Sequence, residues 1–281
     1  MIFLRSFSIS LLLFAVTLFA SSNNPFEHRA PFKSASISYS LDGTTQGSSV
    51  LYIKDYGKYL SEREKTSMIM FGFSKEEDKL TITTPDWIYT VDMLSKSGSK
   101  VTNMEKYLKQ EYEKLSSSDK KTVQKNSKKF GTNVAQTMDG SVKFNAAMIH
   151  GYSCDKASMM GATTYSIHNT AILLKMEGTT LGMTLKKEAT KIEKGAVDVS
   201  HFDVPSGVDI THDTSADAMM KQHAATMIQM LLNPNQKSVS ATPPSVKEPL
   251  HPAPTDKPEP NDNKELEEAE EAVGKLFKSL F

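Results

Sequence analysis

The sequence predicts a mainly β domain, an antiparallel meander or barrel carrying helices, and three observations predict it. Apolar and polar residues alternate with period two from Phe32 to about Asp209, turn residues recur at short intervals, and two stretches switch to a helical period. Evenly spaced short strands joined by polar turns build such sheets because each strand buries only one face.

The first strand is the clearest. Ala35, Ile37, Tyr39 and Leu41 alternate with Ser34, Ser36, Ser38 and Ser40, and Asp42-Gly43 supplies the turn. Residues 50–54, 58–63, 66–71, 79–83 and 87–93 continue the pattern, punctuated by Tyr56-Gly57, Gly72 and Pro85-Asp86. Residues 147–152, 164–168, 171–176, 181–192 and 197–204 extend it. Alternation fixes which residues share a face only up to a one-residue register.

The first helical stretch has Thr102 and Glu105 at capping-box spacing, with Met104, Tyr107, Leu108, Tyr112 and Leu115 along one face. The second spans residues 214–232. Ala216, Met219, Met220, His223, Ala224, Met227, Ile228 and Leu231 form its apolar stripe, and Asn233-Pro234 stops it. So wide a stripe must be buried, and it is expected to cover the opening of the sheet.

Both ends differ from this domain, assigned to residues 23–233. Residues 1–22 carry Arg5, an apolar run from Ile9 to Ala20 and then small residues, the layout of a cleaved export signal. The run is too short to span a bilayer, which takes about 20 apolar residues, and a retained anchor is the alternative. Cleavage is expected near Ala20 or Ser22, so that the mature protein begins near Ser21 or Asn23. No cysteine follows the run, so lipid anchoring of the usual bacterial kind is not expected. Residues 234–262 are rich in Pro, Lys, Glu and Asp without an apolar period, as in an extended tether. In residues 263–281, Leu266, Ala269, Val273, Leu276 and Leu280 keep heptad spacing beside Phe277 and Phe281. A partner-binding amphipathic helix is expected there, with Leu266, Val273, Leu276, Phe277 and Leu280 in contact with an envelope protein.

Charge is balanced, 33 Lys and Arg against 33 Asp and Glu, which argues against nucleic acid as the main partner. One imbalance is local: residues 95–132 hold ten lysines and four acidic side chains, and this stretch could meet anionic head groups, meet an acidic partner or be a solvated face. Cys154 is the single cysteine, so no intramolecular disulfide can form; it is read as a half-buried thiol, with pairing to another molecule as the alternative.

No motif points to catalysis. The histidines at 150, 168, 201, 212 and 223 form no i, i+4 pair with metal-ligand spacing, and Met159-Met160 and Met219-Met220 fix no copper geometry and read as core. A Gly-x-Ser-x-Gly elbow and a phosphate-binding glycine loop are both missing, while Asp55, Asp86 and Asp139 sit where turns need them. The expectation is a non-enzyme without cofactor or metal.

Gly151-Tyr152-Ser153-Cys154-Asp155, Ile172-Leu173-Leu174-Lys175, Ala189-Thr190-Lys191-Ile192 and Phe202-Asp203-Val204-Pro205-Ser206-Gly207 resemble an uncharacterised family of bacterial exported proteins. Tyr52-Ile53-Lys54-Asp55, Gly57-Lys58-Tyr59 and Trp87-Ile88-Tyr89-Thr90-Val91-Asp92 fit its early hairpins. That family looks related to the lipoprotein-carrier (LolA/LolB-like) fold, an unclosed antiparallel barrel with helices against its concave face. The resemblance implies a lipophilic cavity between sheet and helices and transfers no catalytic residue. This chain departs from the carriers in its Pro-rich tether and in having no arginine matched to the one that helps carriers control opening.

Function is therefore expected to be that of a periplasmic or secreted binding protein, carrier-like, for a lipid, an acyl chain or a lipoprotein. The alternative is a ligand-free envelope scaffold that recruits a partner through its tail. Cavity candidates are Ile37, Tyr39, Leu51, Ile53, Met68, Met70, Trp87, Tyr89, Leu173 and Met183 from the sheet, with Met219 and Met227 from the helix.

Overall fold

The computed structural model describes residues 25–27, 29–70, 73–137, 139–180 and 183–234. The export signal, nearly all of the Pro-rich tether and the C-terminal helix with its partner-binding residues lie outside the described residues.

Among the described residues twelve strands form one sheet that is not closed. They are β1 (Ala35–Gly43), β2 (Thr45–Lys54), β3 (Tyr59–Met70), β4 (Phe73–Thr83), β5 (Trp87–Asp92) and β6 (Ser97–Thr102), then β7 (Ser141–Ile149), β8 (Tyr152–Met159), β9 (Ala162–Ile167), β10 (Leu173–Thr180), β11 (Met183–Lys194) and β12 (Asp209–His212). Their spatial order is β12-β6-β5-β4-β3-β2-β1-β11-β10-β9-β8-β7, two meanders joined where β1 pairs with β11. All neighbours are antiparallel except β12, which runs parallel to β6.

Several strands are longer than their local patterns suggest. Residues 58–63 and 66–71 merge into the single strand β3, and residues 197–204 are not a strand. They hold instead a 3-10 turn, Val199–Phe202, which Asp198 caps by accepting from the Ser200 N–H. Close approach also shapes the sheet: a Cβ on Gly47 would sit 2.0 Å from the Lys65 carbonyl oxygen of the neighbouring strand. Between β1 and β11 the register slips after Ser38. Thr190, the extra residue, donates its hydroxyl to the Ser38 carbonyl at 3.1 Å.

Among the described residues three helices follow from local chemistry: α1 (Met104–Glu113), α2 (Ser117–Thr137) and α3 (Thr214–Leu232). Asn103, not Thr102, caps α1 by accepting from the Glu105 N–H at 3.0 Å. Thr102 is committed elsewhere. Its N–H and hydroxyl donate to the Asp217 carboxylate of α3 at 2.5 and 3.0 Å. Ser116 and Asp119 bond reciprocally and start α2, the helix that the sequence pattern does not announce.

The helices share a core of their own, with Leu108, Tyr112, Val123, Ala224, Ile228 and Leu231 buried around Phe26. The Phe26 ring meets Tyr112 edge-on at 5.8 Å. Asn126 of α2 caps the far end of α3 through the Leu231 carbonyl at 2.7 Å. This layer touches the sheet through α3 at β6 and through α2 at β7 and β8, so it bridges the two margins that the sheet leaves open.

Candidate functional site

The residues that could receive a ligand lie on the inner face of the sheet, which strand register identifies. Ala35, Ile37, Tyr39 and Leu41 of β1 face the same way as Ile53, Leu51, Ser49 and Gly47 of β2. From there the face continues through Leu60, Glu62, Glu64, Thr66 and Met68 of β3. On the other side of β1 it continues through Ala189, Lys187, Leu185 and Met183 of β11.

The face has an apolar end and a charged centre. At the apolar end Ala35, Ile37, Ile53 and Leu174 are fully buried with Cys154, Ile167 and Ile172, under Ala30 and Phe32. Burial pushes the Cys154 thiol up. At the centre, the Lys187 ammonium donates to Glu62 at 2.5 Å and to Glu64 at 3.0 Å. The buried Ser49 hydroxyl donates to Glu62 at 2.8 Å, and the Tyr39 ring lies 5.1 Å from Lys187 Nζ. Tyr39 in turn donates its hydroxyl to the Leu173 carbonyl at 2.7 Å.

These contacts show which way the sheet bends. In a flat sheet β11 and β3, three strands apart, are separated by about 14 Å, and side chains leave at right angles. Lys187 and the two glutamates meet because the sheet curls toward this face, which makes it concave. Electrostatics follows from that convergence. Burial alone would lower the Lys187 pKa, but Glu62 and Glu64 outweigh it and hold the value above the ordinary lysine range. Lys79 feels the same carboxylates, yet burial wins there and lowers its pKa. Burial, with the Glu62 charge added, drives the Tyr39 phenol well up.

The sequence-derived candidates separate onto different surfaces. Ile37, Tyr39, Leu51, Ile53, Met68 and Met183 share the concave face. Met70 stands opposite Phe73 at the end of β3. Leu173 lies at a register slip in β10 and contributes its carbonyl to Tyr39. Trp87 and Tyr89 belong to the convex face, because Tyr89 pairs with Ile82 and Ile82 with Ser61, one residue out of step with Glu62. Tyr89, like Val204, Val208 and Ile210, packs there on Leu80, Ile82 and Val91. Trp87 is occupied by the His212 edge at 5.2 Å and by Lys100 Nζ at 4.6 Å. Met227 packs into the helical core, and Met219 is 57% exposed.

The sequence missed the Lys187 centre and also a cluster at the β7 margin. Asp155 accepts from His168 Nδ1 at 2.7 Å and from the N–H groups of Asn145 and Asn169 at 2.8 and 3.3 Å. Ser153 donates to Asn145 at 2.7 Å. Asn145 has a φ of 51°, at the register slip in β7, so this network fixes a bulge against the β9–β10 turn. A surface hollow of about 370 Å³ lies among Gln46, Lys65, Ser67, Glu76, Asp78 and Leu94, and its polar lining does not suit an acyl chain. Among the described residues no group of three or more His, Cys, Asp or Glu could hold a metal ion. No described helix is long and apolar enough to cross a membrane.

No protein-family model matches the chain, and no curated protein matches it in sequence. Among solved structures it is similar to an uncharacterised conserved protein from Thermus thermophilus, with 6% identity and a TM-score of 0.37, over 65% of this chain and 91% of that one. It is also similar to PNGF-II, with 14% identity and a TM-score of 0.31, over 68% of this chain and 33% of that one. The chain thus spans about a third of PNGF-II. Nothing about function follows from likenesses this distant.

Proposed function

We propose that this chain is a binding protein of an exported compartment, carrier-like and periplasmic, that takes a hydrophobic ligand such as a lipid, an acyl chain or a lipoprotein lipid moiety on the concave face. The observation that carries this reading is the open sheet itself, curled around a face on which Met68, Met183 and Leu185 lie beyond the paired charges of Lys187, Glu62 and Glu64. Methionine thioethers adapt to chains of varied shape, and a paired charge centre beside them suits an amphipathic molecule. The exported location rests on the signal-like residues 1–22.

A second reading is a ligand-free envelope scaffold. It is favoured by the apolar end of the same face, where Ala35, Ile37, Ile53 and Leu174 are 0% exposed and pack solid. Native mass spectrometry after gentle extraction separates the two. The first reading expects a lipid adduct that detergent displaces; the scaffold expects the bare mass together with a co-purifying protein. Trp87 cannot report binding from the convex face, so a Met183→Trp variant is the optical probe. Unchanged emission across a fatty-acid titration, together with a bare mass, would overturn the ligand reading.

A further inference from the structure

The lysine-rich stretch divides sharply once α1 and α2 are placed. On α1 and nearby, lysines are paired: Lys106 with Asp86 at 2.6 Å, Lys114 with Glu111 at 2.6 Å. On α2, Lys120 bends back to the Glu113 carbonyl at 3.1 Å. Lys121, Lys125, Lys128 and Lys129 do not follow this pattern. All four are exposed, and among the described residues no ion pair involves any of them. The helix's own acid, Asp119, is held by Ser116.

Spacing makes these four one surface. Lys121, Lys125 and Lys128 follow i, i+4, i+7, and Lys129 lies one turn beyond Lys125, so four positive charges fall within about 12 Å of helix axis. Val123 and Ser127 are buried on the opposite side, at 0% and 1% exposure. Four cations this close repel one another, and no acidic side chain among the described residues pairs with any of them.

We propose that this face of α2 docks on an anionic lipid bilayer. The remaining exposed positions described on the helix, Ser117, Ser118, Asn133 and Gln136, offer no apolar or aromatic anchor. A protein interface needs such an anchor in its desolvated centre, whereas adsorption to a charged bilayer needs only the charge. Lysine also suits a diffuse layer of phosphates, because its ammonium is a strongly hydrated point charge without the planar fork that arginine uses for one specific phosphate. The contact is therefore electrostatic and shallow, and it stands independently of the hydrophobic-ligand reading.

Co-sedimentation of the full exported protein with vesicles tests it, comparing pure phosphatidylcholine with vesicles containing roughly 30% phosphatidylglycerol, enough to give the surface a negative potential. At low salt, binding is expected to the anionic vesicles alone and to fall away at about 0.5 M NaCl, where screening is within a few ångströms. Each lysine near an anionic surface is worth about a fivefold change in partitioning. Lys121→Gln with Lys125→Gln should thus reduce binding roughly 25-fold. A control that removes two paired sheet lysines, Lys186→Gln with Lys191→Gln, should change it less than about twofold, because their charges are already matched by Glu188 and Glu193. Circular dichroism checks that both variants are folded. Equal loss in the two variants, equal binding to neutral vesicles, or binding to a soluble polyanion without binding to vesicles would overturn the proposal.

Discussion

Replacing Lys187 with methionine tests the view that a paired charge centre holds the sheet in its curl. The substitution keeps the aliphatic stem and removes the ammonium, so packing on Tyr39 changes little. What remains is Glu62 and Glu64, about 30% and 29% exposed, close together and without their main cation. Breaking a fully buried pair costs about 3–5 kcal/mol, and partial exposure of both carboxylates brings the expected cost down to roughly 2 kcal/mol. For a domain of this size that is about 4–8 °C in Tm. The companion variant carries Lys187→Met with Glu62→Gln and Glu64→Gln. Removing all the charges together leaves no carboxylate unpaired, so stability should return to within about 1 kcal/mol of the native protein. Urea titration followed by circular dichroism measures both. The reasoning fails if the single variant loses less than about 0.5 kcal/mol, or if the triple variant is as unstable as the single one.

Three further outcomes follow from the helical layer and the strands. Burial, with the nearby Glu27 charge, raises Glu105 to about 7. A folded-state value above the unfolded one favours the acid form, so its contribution is full below about pH 4.5 and is lost as pH rises through 7, with a ceiling of roughly 3 kcal/mol. Glu105→Gln should flatten that part of the stability profile, and an unchanged slope between about pH 5 and 8 would count against it. Asp217 behaves oppositely. Burial would raise its pKa, but hydrogen bonds from Thr102 and His212 outweigh this and lower it, so its contribution is present above about pH 4 and fades as pH falls through the depressed value. Asp217→Ala strands the buried Thr102 N–H and should cost about 1–3 kcal/mol, with hydrogen exchange rising first in α3; uniform exchange would refute a local latch. Gly47→Ala drives a Cβ into the Lys65 carbonyl, so amide protection along β2 and β3 should fall together. A native exchange pattern would show that the strands can move apart at no cost.

How much of this was legible in the sequence depended on how local the cause is. The serine-alternating run at Ala35, Ile37, Tyr39 and Leu41 reads directly as a strand with one buried face, and all four are buried. The bounds of α3 also follow from nearby residues, since Asp213 caps one end and Asn233-Pro234 closes the other. By contrast α2 is polar almost all round, with Val123 and Phe130 as its apolar contacts in the helical core and Ala135 buried near its end, and a 3.6-residue period cannot be seen in Lys, Ser, Asn and Thr. Its start signal was visible in Ser116-x-x-Asp119, but that spacing is too common to decide alone.

The charge centre was illegible for a deeper reason. Lys186-Lys187-Glu188 looks like a solvated strand edge, and Glu62-Arg63-Glu64 looks the same. Only the pairing of β1 with β11, across about 150 residues, turns Lys187 inward to Glu62 and Glu64, while Arg63 faces outward to its partner Asp78 on the next strand. The hairpin registers from β2 to β5 decide that Trp87 and Tyr89 leave the concave face, although their own alternation suits either side. Had β11 paired one residue out of step, Lys186 and Glu188 would have turned inward and Lys187 would have faced water. Met183, Leu185 and Ala189 would have been lost from the concave face with it. Thr190, the extra residue that sets this register, therefore governs which side chains a ligand could meet, and its hydroxyl bond to Ser38 fixes the slip at one point in the strand. Pairing across the chain, more than composition along it, decides whether this sheet presents a binding face.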